Sequence, residues 1–238
     1  MKIFSLIRKI LLAVPGFPCP VCGGDNVDDF NSFCAECLQK LPFVIPPRCP
    51  QCGGNMDSAL QCCGKCLRLG MKKPWSKAFA LFEYSGDIRE VILRFKNGSP
   101  ELARPLGELC KAFLDREILQ NPEDFVVVPV PLHWSRLAVR GYNQSELFAS
   151  AVFSGTGVKI VDALKRTRRT GHQASRLKAE RLTALRGAFA LRKPGILTGR
   201  KVILVDDVFT TGSTLAAAAK AVQKDKPSEI RVLVIARR

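Results

Sequence analysis

The chain has 238 residues, with 37 Lys plus Arg against 21 Asp plus Glu for a formal net charge of +16, and 47% of its residues are hydrophobic. That apolar fraction suffices to bury a core and excludes a wholly disordered chain, and the length suits one large domain with or without a small satellite. The basic surplus favours polyanionic partners such as nucleic acid or phosphorylated small molecules.

Residues 1–18 open with an apolar stretch, Met1 to Val14, that contains Lys2, Arg8 and Lys9 and ends at Pro15, Gly16 and Pro18. Arg8 and Lys9 interrupt what would be the apolar heart of an export signal, so a short amphipathic helix is expected. No run of 18 apolar residues occurs elsewhere, so no membrane span is expected and the cytoplasm is the default location.

Residues 19–70 form a module punctuated by Gly and Pro. Nine of the ten cysteines lie between positions 19 and 66, and eight of them form C-x-x-C pairs: Cys19/Cys22, Cys34/Cys37, Cys49/Cys52 and Cys63/Cys66. A disulfide framework suits a short exported protein, whereas this density occupies one end of a longer chain with no export signal. Zinc fits better, because a C-x-x-C turn supplies two thiolates and a following Gly lets backbone N–H groups approach the sulfurs. Cys19-Pro-Val-Cys22-Gly-Gly and Cys49-Pro-Gln-Cys52-Gly-Gly are near repeats, each answered by a second knuckle after 10 or 11 residues. Two structural zinc ribbons in series are therefore expected. Sequential pairing puts Cys19, Cys22, Cys34 and Cys37 on one ion and Cys49, Cys52, Cys63 and Cys66 on the other, while a cross-braced arrangement would use the same eight ligands. A module so poor in apolar residues needs metal to fold, and no His ligand or open coordination position points to catalysis. Cys62 is a spare beside Cys63, and Cys110 reads as a buried apolar filler.

Residues 71–77, with Lys72, Lys73 and Pro74, read as a linker to an α/β domain over residues 78–238. Strands are expected at Ala78 to Tyr84, Phe125 to Pro131, Val158 to Ala163, Ala188 to Leu191, Lys201 to Asp206 and Glu229 to Ala236. Helices are expected at Glu101 to Leu119, Gln144 to Phe153 and Ser213 to Gln223. This alternation predicts a mostly parallel sheet flanked by helices.

Between Leu164 and Lys201, twelve Lys and Arg face the single acid Glu180, a local charge of +11. The stretch includes Arg166, Arg168, Arg169, Arg176 and Arg181 and reads as a mobile basic flap that closes over a diphosphate or follows a nucleic-acid backbone. His133 and His172 read as hydrogen-bonding loop residues. Trp134 and Tyr142 read as packing residues, with base stacking as the alternative.

Val202-Ile-Leu-Val-Asp-Asp-Val-Phe-Thr-Thr-Gly-Ser-Thr214 is a buried strand ending in two acids and running into a small-residue loop that opens a helix. Thr210, Thr211, Gly212, Ser213 and Thr214 can present N–H groups and hydroxyls to a phosphate monoester at a helix N-terminus. The adjacent carboxylates Asp206 and Asp207 suit the vicinal hydroxyls of a ribose whose 5-phosphate lies in that loop. This stretch resembles the phosphoribosyl pyrophosphate (PRPP) motif of type I phosphoribosyltransferases. The resemblance implies that Asp206 and Asp207 are catalytic residues holding the ribose hydroxyls, that Thr210 to Thr214 bind the 5-phosphate, and that Mg2+ accompanies PRPP. Pyrophosphate would then need a second loop. Val128-Pro-Val-Pro131 with Leu132, Arg136 and Arg140 is the candidate, since a turn followed by basic residues suits an exposed diphosphate.

The order of these parts narrows the resemblance. Zinc knuckles come first, followed by Phe82-Glu-Tyr-Ser-Gly with Leu93-Arg-Phe-Lys96, Pro-Val-Pro-Leu with Arg136 and Arg140-Gly-Tyr-Asn-Gln144, and lastly the PRPP motif. The whole chain is similar to the ComF family. Membership implies a type I phosphoribosyltransferase-like α/β domain with a double zinc ribbon, in a cytoplasmic protein of natural transformation and DNA utilisation. It further implies binding of PRPP with Mg2+ and of single-stranded DNA, with a competence helicase or recombination protein as partner. An active phosphoribosyltransferase with an unidentified acceptor and a PRPP-sensing regulator are the alternatives. The family commonly has Asn where this chain has Ala184, which bears on a loop anchor or substrate contact in the flap.

Overall fold

Phe125-Val-Val-Val-Pro129 and Val202-Ile-Leu-Val205 are apolar without alternation and almost wholly buried, the pattern of parallel strands covered on both faces. In a computed structural model, which describes residues 18–24, 33–57, 60–69, 73–167 and 187–238, they lie at the centre of the main sheet. The expected N-terminal helix falls outside the described residues apart from Pro18, as does most of the basic stretch.

The sheet contains β1 (Lys77–Glu83), β2 (Phe125–Pro129), β3 (Lys159–Ile160), β6 (Lys201–Phe209) and β7 (Glu229–Arg237) in the order β1-β7-β6-β2-β3, every pair parallel. A separate antiparallel pair joins β4 (Leu164–Arg166) to β5 (Phe189–Leu191) and so closes the base of the basic stretch. Among the described residues the helices are α1 (Ala35–Lys40), α2 (Gly64–Leu69), α3 (Gly86–Lys96), α4 (Ala103–Lys111), α5 (Arg116–Gln120), α6 (Trp134–Arg140), α7 (Gln144–Val152) and α8 (Ser213–Gln223). The fold is the expected type I phosphoribosyltransferase-like α/β architecture.

Because successive strand residues face opposite sides, the sheet has two cores. Ala78, Ala80, Val126, Val128, Val202, Leu204, Val232 and Val234 pack with α8 and with the cysteines of the second ribbon. Val127, Ile203, Val205, Leu233 and Ile235 pack with α3, α4, α7 and Cys19 and Cys37 of the first ribbon. Each ribbon thus lies against a different face. Ribbon residues also cover the outer edge of β1: Glu83 N–H donates to Pro42 O (2.8 Å), Val44 N–H to Leu81 O (2.9 Å) and Ala78 N–H to Pro50 O (2.9 Å). Gly53 lies so close that a Cβ there would meet the Ala80 nitrogen at 2.6 Å. The segment read as a linker is tied to the knuckle, with Lys73 N–H donating to Gln51 Oε1 at 2.8 Å and Trp75 Nε1–H to Gln51 O at 3.1 Å.

The expected helix over residues 101–119 is interrupted. A 3-10 turn at Pro100–Leu102 precedes α4, and the chain breaks before α5 at Asp115, whose carboxylate pairs with Lys77 at 2.9 Å. Only Lys159 and Ile160 of the expected third strand pair with β2, and β6 runs three residues beyond its expected end because β7 pairs with it as far as Phe209. Close helix packing places α7: a Cβ at Gly107 on α4 would sit 2.3 Å from the Ala151 Cβ. Gly107→Ala is therefore expected to lower unfolding stability by about 1–3 kcal/mol in urea titration, the overlap outweighing Ala's helix preference of roughly 1 kcal/mol.

Candidate functional site

β2 pairs with β6 only as far as Pro129 opposite Val205, and the chain leaves β2 toward β3 on one side but leaves β6 toward β7 on the other. A crevice opens at such a reversal, at the carboxyl ends of the two strands. Asp206 and Asp207 stand on its β6 side, just beyond the last β2 partner. Pro131 and Leu132 leave β2 on the other side, and buried His133 caps α6 by accepting from Ser135 N–H at 3.3 Å. Asn143 caps α7 by accepting from Ser145 N–H (3.3 Å), and its Nδ2 donates to Val130 O at 3.2 Å, tying the β2 exit to that helix.

Both acids are held in place. Ser145 Oγ–H donates to Asp206 Oδ1 at 3.0 Å, and Lys96 Nζ lies 3.2 Å from Asp207 Oδ2. Burial first, and then the neighbouring charge of Asp207, push the Asp206 carboxyl up to about 7, against the lowering effect of its hydrogen bonds and Lys96. The loop beyond turns at Gly212 with a left-handed φ of 72°, and a Cβ there would meet the Phe209 ring at 2.5 Å. Thr211 Oγ1 is 2.7 Å from Ser213 Oγ and accepts from Ser213 N–H at 3.3 Å, so the hydroxyls cluster at the N-terminus of the eleven-residue α8. Burial and the positive charge of Arg136 lower the Arg166 guanidinium's pKa while Asp206 opposes them, which puts Arg166 within electrostatic reach of both. Arg136 and Arg140 lie on α6, which buries none of its residues, and Trp134 is 72% exposed.

The cysteines group sequentially. Sγ atoms of Cys19, Cys22, Cys34 and Cys37 lie within 4.8 Å of one another, as do those of Cys49, Cys52, Cys63 and Cys66. The Cys22–Cys34 and Cys52–Cys63 Sγ separations are 3.8 and 3.7 Å, matching the roughly 3.8 Å between sulfurs bound tetrahedrally at about 2.3 Å from zinc. Within each set the thiols compete for ionisation. Burial raises the pKa of Cys19, but backbone N–H groups of Cys22, Cys34 and Val21 bring it down to about 6; hydrogen bonding with Cys34, followed by burial, pushes Cys37 up to about 12. Burial likewise raises Cys63, but hydrogen bonds led by that from the Cys66 backbone bring it down to about 7, while burial raises Cys52 to about 11. Four thiolates so close coexist only around a cation, and both donor sets fit zinc. Cys62 stays outside the second set, and Cys110 is fully buried, its pKa raised by desolvation.

Comparison with known proteins agrees with this arrangement. A double zinc ribbon domain matches residues 11–67 and a phosphoribosyl transferase domain matches residues 143–238. The chain is 31% identical to competence protein F of Haemophilus influenzae over 228 residues, spanning 93% of this chain and 97% of that protein. The chain belongs to the ComF family. Its other relatives include DNA utilization protein YhgH of Escherichia coli K12, 30% identical across 95% of this chain and 99% of that protein. Competence protein ComFC of Streptococcus pneumoniae is 25% identical across 88% and 90% of the two chains.

In this ComF-family chain the acids, the Thr/Ser/Gly loop and the β2 exit lie at the carboxyl ends of β6 and β2, and Arg166 on β4 feels the charges of Asp206 and Arg136. Arg168, Arg169, Arg176 and Arg181 of the expected flap lie outside the described residues, with His172 and Ala184. Trp134 projects from the surface, contrary to the packing role expected of it, because α6 has no apolar face against the sheet. Tyr142 is the packed aromatic: its hydroxyl donates to Phe95 O and accepts from Gly98 N–H at 3.1 Å. Sequence reasoning missed Ser145 and gave Lys96 no role beyond closing the motif Leu93-Arg-Phe-Lys96. Ser145 in the first turn of an expected helix and Lys96 in a family motif were the available signals.

Proposed function

We propose that the crevice binds Mg-PRPP, in line with the phosphoribosyl transferase domain match. The carrying observation is the paired Asp206 and Asp207 immediately before a hydroxyl-rich loop that opens α8, at the sheet's reversal point. Asp206 and Asp207 accept hydrogen bonds from the ribose 2- and 3-hydroxyls, Ser145 and Lys96 fix their orientation, and the Gly212 to Thr214 amides meet the 5-phosphate. Arg136, Arg140 and Arg166 meet the pyrophosphate beyond Pro131 and Leu132. Mg2+, when bound with PRPP, neutralises diphosphate charge. Calorimetric titration of PRPP with Mg2+ tests this reading, and absence of binding would sink it.

In line with the competence and DNA utilization relatives, we further propose a role in cytoplasmic DNA handling beside a competence helicase or recombination protein, and we assign single-stranded DNA to α6. Exposed Trp134 offers a stacking face beside Arg136 and Arg140. Trp134→Ala is expected to weaken single-stranded DNA binding roughly 5- to 100-fold. Removing the Arg136 and Arg140 charges should flatten the log affinity against log salt slope by about 1.4. Fluorescence anisotropy across a salt series checks both, and unchanged values would move the DNA elsewhere. Pyrophosphate release on adding DNA to the PRPP complex would make the protein a transferase; DNA binding without release makes PRPP a ligand.

A further inference from the structure

Lys73 lies outside every motif of the site, in the segment between the second zinc ribbon and β1, yet its side chain ends at the phosphate loop. It is only 8% exposed, and its Nζ donates to Thr211 O at 3.1 Å. Its own backbone N–H is held by Gln51 Oε1 at 2.8 Å, and Gln51 sits between Cys49 and Cys52. The Gln51 carbonyl in turn accepts from Trp75 Nε1–H, and the Trp75 ring meets Phe209 edge-on at 6.0 Å. Phe209 is the ring on which Gly212 rests.

The Thr211 carbonyl and the Gly212 N–H belong to one trans peptide, so they point in opposite directions. A cation fixed on that carbonyl aims the Gly212 N–H the other way, at the start of α8, and polarises it. We propose that Lys73 is a positioning residue for the phosphate monoester of the bound sugar: through the Thr211 carbonyl it orients and strengthens the first amide of the cradle. The second ribbon anchors it there. This inference rests on the PRPP reading above and extends it to a residue on the ribbon side of the chain.

The test uses the full zinc-loaded chain and two probes, ribose 5-phosphate and magnesium pyrophosphate, followed by calorimetry and by the Gly212 amide resonance. Lys73→Met is expected to weaken ribose 5-phosphate binding roughly tenfold or more, to leave pyrophosphate binding unchanged, and to abolish the ligand-induced shift of the Gly212 amide. Lys73→Arg, which keeps a cationic donor, should recover part of the affinity. Unchanged ribose 5-phosphate affinity with the Gly212 shift retained would overturn the assignment, as would an equal loss for both probes. If Lys73→Met does not fold, Gln51→Ala keeps the lysine but releases its backbone. A several-fold loss confined to ribose 5-phosphate then supports the role, and none overturns it. A wild-type protein that binds neither ribose 5-phosphate nor PRPP would overturn the PRPP reading itself, and this one with it.

Discussion

Replacing Asp206 and Asp207 together by Asn is expected to weaken PRPP binding at least about a hundredfold while leaving the fold and the salt-dependent DNA affinity intact. Two hydrogen bonds to charged acceptors contribute roughly 1.5–3 kcal/mol each, enough for that loss. Asn retains an oxygen to accept from Ser145 Oγ and from the Asp207 N–H, which now reach Asp206 Oδ1 at 3.0 and 2.9 Å, so the strand should not shift. A PRPP affinity within a few-fold of wild type would remove the acids from the site. The single Asp206→Asn change has a further, opposite signature. Burial and the Asp207 charge raise this carboxyl from 3.8 to about 7, so the protonated form favours the folded state and its contribution fades as pH rises from about 4 through 7. Asn avoids that cost, so the variant should be more thermally stable than wild type, by about 1 kcal/mol or more at pH 8 and by less at pH 6. A pH-independent difference in Tm would contradict the buried-acid account. PRPP affinity of the wild type should also fall below pH 7 as Asp206 takes up a proton.

Cys49→Ser with Cys52→Ser is expected to abolish cooperative unfolding of the entire chain, beyond loss of one ribbon. Structural zinc sites bind with about 10–16 kcal/mol, which equals or exceeds the 5–15 kcal/mol that separates a folded domain from its unfolded chain. Here the loss also removes part of the main core, because Cys49 and Cys52 are almost fully buried with Ala80, Val128 and Val234. Arg237 Nη2, 3.7 Å from Cys63 Sγ, adds a tie to β7. Cys22 is exposed, so the first site should yield its metal to a chelator sooner. Near-ultraviolet circular dichroism and metal content, followed during chelation, should show early loss of one zinc and loss of tertiary signal with the second. A variant with one zinc and an unchanged Tm would separate the ribbon from the domain's stability.

Much of this was legible along the chain because its signals are local. The four knuckles, the strand from Val202 and the loop at Thr210 each lie within a dozen residues, and the periods of their apolar positions match their elements. The sequential cysteine pairing was open until the sulfurs were placed in space. α3 is readable from Ile88, Val91, Ile92 and Phe95 at helical spacing, although only its ends fall in family motifs. α6 left no periodic trace, since none of its residues is buried. Lys73, Ser145 and Arg166 reach the site by tertiary packing between distant segments, which no spacing encodes. The concentrated charge is also tempered in space: Arg192 pairs with Asp162 at 3.0 Å, and Lys201 with Glu117 and Asp124 at 2.9 and 3.3 Å, acids outside the basic stretch.

The covered edge of β1 bears on how the chain is made. β1 ends at Glu83, and its partner β7 begins only at Glu229. At roughly 5–20 residues per second, a ribosome needs on the order of 10 s to deliver the second after the first. During that interval an apolar strand with two open edges would be a template for pairing with neighbouring nascent chains. Pro42 and Val44 lie between the two ribbons and Pro50 lies in the first knuckle of the second, and these residues, which occupy one of those edges, are synthesised before β1. The ribbons thus shield half of β1 as it emerges, leaving a single edge open until β7 arrives, and zinc supply during translation becomes a condition for soluble yield.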